Sequence, residues 1–100
     1  MSGKETFRSR VWLYPGTSAA WHFISLPKEL SARIRTQEKG RGRRGFGAAK
    51  VVAQIGKTSW ETSIFPDSKT GTYLLPLKAS VRKAEGVFVK DMVVVTLAKV

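Results

Sequence analysis

The sequence predicts a mainly β fold: a small closed or pseudo-closed barrel of about six to seven strands with two short helices. It forms one domain, residues 1–100, with residues 1–5 as a flexible end. Three observations predict this. Apolar and polar residues alternate in short runs broken by Pro and Gly, the mark of half-buried strands. Helical spacing is confined to two short stretches. The two halves of the chain also repeat one order of elements: strand, strand, short helix, strand.

The first strand, 7–14, sets Phe7, Val11 and Leu13 at apolar positions with Arg8 and Arg10 between. Pro15-Gly16-Thr17-Ser18 is turn punctuation. The second strand, 20–26, puts Trp21, Phe23 and Ser25 on one face and Ile24 and Leu26 on the other. Pro27 then stands at the start of a helix over 28–36, where it is tolerated. Leu26, Leu30 and Ile34 recur there at i, i+4 and i+8.

Residues 39–47 form a Gly/Arg loop, and 48–55 a strand with Val51 and Val52. Gly56-Lys57-Thr58 reverses the chain into a strand over 59–65. There Trp60, Thr62 and Ile64 alternate with Glu61 and Ser63, so the pair reads as a hairpin. A loop over 66–71 follows, then a strand over 72–77. A helix over 79–85 ends at Gly86, a natural left-handed C′ residue. The last strand covers 92–97.

Leu26-Pro27-Lys28-Glu29-Leu30 opens the first helix, and Leu75-Pro76-Leu77-Lys78 precedes the second. The halves therefore read as two ββαβ units from an internal duplication. Neither unit closes a sheet alone. Interleaved, they make a six-stranded barrel, double-psi or swapped-hairpin-like, with a helix over each end and no bare sheet edge.

Composition narrows the function classes. One hundred residues with 42% hydrophobic and 10% aromatic content support one core and argue against disorder. There is no cysteine, hence no disulfide framework, thiolate zinc site or cysteine nucleophile. His22 is the single histidine and cannot build a multi-histidine metal site. Neither an apolar leader segment nor a membrane-length run is present, so the expectation is a cytoplasmic protein that does not enter a membrane.

The acids Glu29, Glu61, Asp67, Glu85 and Asp91 show no paired-carboxylate spacing. Glu29 and Glu85 read as helix-surface residues, Asp67 as a turn residue. No nucleophile has a base and an orienter in view. The expectation is no catalytic residue, no metal, no cofactor and no enzymatic activity.

The net charge is +11, and residues 1–50 carry eleven Lys/Arg against three acids. Such a balance points to a polyanionic partner, nucleic acid first. Gly40-Arg41-Gly42-Arg43-Arg44-Gly45 matches the letters of a dinucleotide fingerprint, but a helix precedes it and a strand follows, the reverse of what that site needs. Gly56-Lys57-Thr58 resembles the end of a phosphate-binding loop, but Val51 stands where the first Gly is required.

The Gly/Arg loop has its own chemistry. Arg33, Arg35, Lys39, Arg41, Arg43, Arg44 and Lys50 surround one acid, Glu38. Arginine forks match phosphate geometry, and glycines let backbone N–H groups approach an anion.

Trp12, Trp21, Trp60, Phe46 and Tyr73 are candidate stacking platforms. A core this small consumes large side chains, so two of the three tryptophans are expected inside, with Trp60 the exposed candidate. Lys78, Arg82 and Lys83 cluster at the second helix, Lys78 and Arg82 on one face. With Ser63, Thr62 and Arg44 they suggest an anion pocket at the barrel mouth. The anion-binding set is thus Arg41, Arg43, Arg44, Trp60, Ser63, Lys78, Arg82 and Lys83.

Several stretches, taken together, resemble a bacterial family, domain of unknown function 1905. They are Phe23-Ile24-Ser25-Leu26-Pro27, Arg44-Gly45-Phe46-Gly47, Trp60-Glu61-Thr62-Ser63-Ile64-Phe65-Pro66, Tyr73-Leu74-Leu75-Pro76-Leu77-Lys78 and Val81-Arg82-Lys83. The resemblance covers nearly the whole chain and implies no settled activity. Val81-Arg82-Lys83-Ala84-Glu85-Gly86-Val87 with Asp91-Met92-Val93, and Leu26-Pro27-Lys28-Glu29-Leu30, are also similar to the swapped-hairpin barrels of transition-state regulators and antitoxins. The departure is Lys90, where that family has Gly.

Those proteins close a barrel from two chains and bind DNA; this chain carries both halves, which implies a monomer or weak dimer. The leading expectation is a binding module for an anionic ligand such as nucleic acid. One alternative is a pocket for a phosphate-bearing small molecule, or an enzyme-like accessory domain, using Ser63, Tyr73, Lys78 and Arg82. Another is a protein-interaction domain, which needs an exposed apolar patch that the sequence does not reveal.

Overall fold

A computed structural model describes residues 3–14, 21–40 and 47–99. Among them the elements run β1 (Lys4–Leu13), β2 (His22–Ser25), α1 (Lys28–Gly40), β3 (Ala49–Ile55), β4 (Thr58–Asp67), β5 (Thr72–Leu77), α2 (Ala79–Glu85) and β6 (Met92–Lys99). The strands close into a barrel in the order β1-β2-β5-β4-β3-β6. Every neighbouring pair is antiparallel.

The order is ββαβ twice. Exchanging β1 with β4, β2 with β5 and β3 with β6 carries the pair β1·β2 onto β4·β5, and β1·β6 onto β3·β4. The pairs β2·β5 and β3·β6 map onto themselves. The pairing scheme therefore has the two-fold symmetry that a duplicated unit dictates, and closure leaves no bare edge.

Strand alternation fills the barrel. Val11, Ile24, Val51, Ala53, Ile64, Leu75, Val95 and Leu97 point inward and are almost wholly buried. Each of these Val, Ile and Leu side chains contributes about 1.5–3 kcal/mol by leaving water. Small residues stand opposite large ones: Ala53 lies across from Trp60 on one side and Leu97 on the other. That alternation lets side chains fill a narrow barrel without voids.

The helices stopper the ends. In α1 the stripe of Leu30 and Ile34 is buried, continuing Leu26. The helix runs a turn past the expected end, through Gly40. Nothing between Thr36 and Gly40 breaks a helix, and Glu38 falls on the same stripe, four residues after Ile34, and is buried. The Ser31 hydroxyl accepts the Tyr73 N–H at 3.0 Å, and the Leu26 N–H donates to the Tyr73 carbonyl at 2.9 Å. Both bonds fix the start of α1 on β5.

In α2, Val81 is buried and Gly86 takes the left-handed C-terminal position at φ 63°. The Val87 N–H closes that turn on the Arg82 carbonyl at 2.9 Å.

Three expectations are corrected. Lys4 and Glu5, placed in a flexible end, belong to β1, and Glu5 pairs with Arg33 of α1 at 3.0 Å. Strand β4 continues through Pro66 and Asp67, which sequence punctuation assigned to a loop. Glu85 is not a free helix-surface acid: its carboxylate accepts the Thr58 hydroxyl at 2.6 Å.

Candidate functional site

The outward face of β1 is a cationic row. Val11 is buried inside the barrel, so alternation turns Lys4, Thr6, Arg8, Arg10 and Trp12 outward. Successive outward residues are roughly 7 Å apart along a strand. The partners of Lys4, Thr6, Arg8 and Arg10 on β6 are Ala98, Thr96, Val94 and Met92, and neither row carries an acid. The Thr6 and Thr96 hydroxyls meet at 3.1 Å. The Arg10 guanidinium donates to the Lys90 carbonyl at 3.1 Å, which orients it along the row. On β3, Lys50 is exposed opposite Ser63.

Beside this row the outer surface is aromatic. Trp12 and Tyr14 pack side by side with ring centres 5.8 Å apart, and each contacts Phe23 at 5.7 Å. Trp21 lies 6.2 Å from Phe23, inclined at 39°. The Tyr14 N–H donates to the Trp21 carbonyl at 3.0 Å, and the Trp12 indole N–H donates to the Ser25 hydroxyl at 3.0 Å. Trp21 is 57% exposed, and Phe65, across the cleft on β4, is 45% exposed. Between them lies a cleft of about 400 Å³, lined also by Asp67 and Leu74.

A second cavity, of about 430 Å³, lies beside α2 and is lined by His22, Arg82, Lys83, Val87 and Phe88. The Arg82 Nε donates to the Leu77 carbonyl at 3.5 Å, holding the half-buried guanidinium at the helix.

Of the residues expected at the barrel mouth, Arg44 lies outside the described residues and the others are divided. Arg82 and Lys83 do share a cavity, but with His22 and Phe88, and neither Lys78 nor Ser63 lines it. Ser63 lies on the outward row of β4, next to inward Ile64. Lys78 caps α2 and is exposed. Tyr73 is in the core beside α1, where burial raises its hydroxyl pKa above the ordinary 10.0; Arg35 opposes that rise and Glu38 adds to it. Thr62 is half-buried.

Trp60 is corrected outright. It is 9% exposed and belongs to the core, and its indole N–H has no hydrogen-bond partner among the described residues. Trp21 is the exposed tryptophan instead, so one of the three is in the core, not two. Arg41, Arg43 and Arg44, with Phe46, lie outside the described residues.

Sequence reasoning grouped Trp21 with Phe23 and missed Tyr14, Phe65 and Asp67 as their neighbours. Period-two alternation would have put Phe65 and Asp67 opposite Ile64, but the strand was ended too early to use it. Among the described residues no group of three His, Cys, Asp or Glu is arranged to hold a metal ion, and no helix is long and apolar enough to cross a membrane.

The architecture defines the class: a six-stranded antiparallel barrel made of two ββαβ units within one chain. Residues 7–97 match the family described as Domain of unknown function (DUF1905), and the chain belongs to that family. Comparison with curated proteins finds no match.

Proposed function

We propose that this barrel is a binding module for a polyanion, nucleic acid in the first instance, and that the outward row of β1 is its contact surface. The observation that carries the reading is Lys4, Arg8 and Arg10 standing in register on a strand face without an acid beside them. Guanidinium forks take phosphate oxygens bidentately, and the pairing of Lys4–Arg10 with β6 fixes the backbone that presents them.

The net charge of +11 steers any polyanion toward the surface. Arg41, Arg43 and Arg44 of the Gly/Arg loop add to the field by composition. The barrel closes within one chain, which favours action as a monomer. A cysteine-free chain suits the reducing cytoplasm, the compartment we assign.

The test is a fluorescence anisotropy titration with labelled single- and double-stranded DNA and RNA at low and moderate salt. The expected result is micromolar or tighter binding at low salt that weakens steeply as salt rises. Absence of binding to every form at low salt would overturn the proposal.

A further inference from the structure

We propose that the aromatic cleft on the β1–β2–β5–β4 side is a site for a small organic cation bearing a quaternary ammonium group. The inference is independent of polyanion binding, because the described lining of the cleft differs in charge from the basic row of β1. In a chain of net charge +11, no lysine or arginine among the described residues lines it. Among the described residues the one charged residue that does is Asp67.

The walls have the chemistry such a group requires. Trp21 is inclined at 39° to Phe23, and Tyr14 stands at 68° to it. Phe65 faces them from β4. Rings set at these angles offer negative π faces from several directions instead of one flat platform, and cations are held by such faces.

A quaternary ammonium has no N–H to satisfy, so a cleft with one carboxylate and no ring of acceptors suits it better than it suits a lysine ammonium. The volume, about 400 Å³, falls in the range of small-molecule sites.

Asp67 is also fixed in place. The Thr70 hydroxyl donates to its Oδ2 at 2.9 Å, and the Gly71 N–H donates to its carbonyl at 2.8 Å. The carboxylate is therefore held by the turn that follows β4 through Oδ2. Trp21 and Phe65 meanwhile leave large apolar surfaces in water that a ligand would cover.

The experiment titrates the intact protein with choline and, separately, with 3,3-dimethylbutan-1-ol, its neutral isostere, following the Trp21 indole N–H resonance. Choline is expected to shift that resonance saturably and to bind about tenfold more tightly than the neutral isostere. Asp67→Asn should weaken choline roughly fivefold to tenfold and leave the isostere unchanged. Trp21→Ala, at an exposed position, should abolish binding of both in a protein that still folds. Equal affinity for choline and the isostere, no saturable shift, or choline binding unaffected by both substitutions would overturn the proposal.

Discussion

The Glu85 carboxylate of α2 accepts the Thr58 hydroxyl at 2.6 Å and the Lys57 N–H at 3.3 Å, latching the helix to the β3–β4 turn. Gly56 makes the latch possible: its φ is +58°, and a Cβ there would meet that same carboxylate. Glu85→Ala should cost about 1–3 kcal/mol, the range for removing a charged hydrogen-bond acceptor. Gly56→Ala should cost about 1–2 kcal/mol from backbone handedness alone, and more from displacing Glu85. Urea denaturation of the single and double variants checks both, with less than additive loss expected in the double.

At the opposite end, Ser31 accepts the backbone N–H of Tyr73 at 3.0 Å inside the protein. Ser31→Ala leaves that donor buried and unpaired, so a loss of about 1–3 kcal/mol is expected. Ser31→Thr retains an acceptor and should lose less if its methyl is accommodated. Equilibrium denaturation gives the comparison.

Tyr73 makes stability depend on alkaline pH. Burial, the largest cause, disfavours the phenolate and raises the hydroxyl pKa above 10.0. For a group with a raised folded-state pKa, the stabilisation is complete below the unfolded value near 10.0 and is lost as pH rises through the folded value. Thermal melts from pH 8 to pH 11 should therefore fall more steeply for the native sequence than for Tyr73→Phe. Parallel falls would show that this hydroxyl has no part in the dependence.

Lys90 carries φ +75°, a left-handed backbone that suits glycine. The Lys90 N–H donates to the Val11 carbonyl at 2.7 Å and the Asp91 N–H to the Phe88 carbonyl at 3.1 Å, so the turn holds the residue there. Relief of about 1–2 kcal/mol of handedness strain outweighs the roughly 0.5–1 kcal/mol of extra chain entropy that glycine carries. Lys90→Gly should be neutral to about 1 kcal/mol stabilising, read from the shift in denaturation midpoint.

Much of the fold was legible from residue order. Period-two runs and Pro/Gly punctuation located the strands, and the repeated ββαβ order predicted closure. The resemblance to the swapped-hairpin barrels marked Lys90 as an oddity, and its positive φ is the physical reason a glycine belongs there.

The candidate surfaces were less legible, because alternation tells which residues share a face but not which face is inside. Trp60 and Trp21 have similar local patterns, yet one packs against Ala53 in the barrel while the other lies outside. Glu85 and Ser31 were also opaque, since their partners, Thr58 and Tyr73, lie 27 and 42 residues away. Basic residues drew attention to the Gly/Arg loop by density. The row on β1 instead depends on register, which composition does not show.

The most direct test of the polyanion reading is the salt dependence of oligonucleotide affinity for the native protein beside a Lys4→Ala, Arg8→Ala, Arg10→Ala triple variant. Each phosphate contact contributes a slope of about 0.7–0.9 in log affinity against log salt concentration. Loss of three contacts predicts a slope shallower by roughly two to three, with weaker binding at low salt in a variant that still melts cooperatively. A variant that keeps the native slope and affinity would contradict the assignment of β1 as the contact surface.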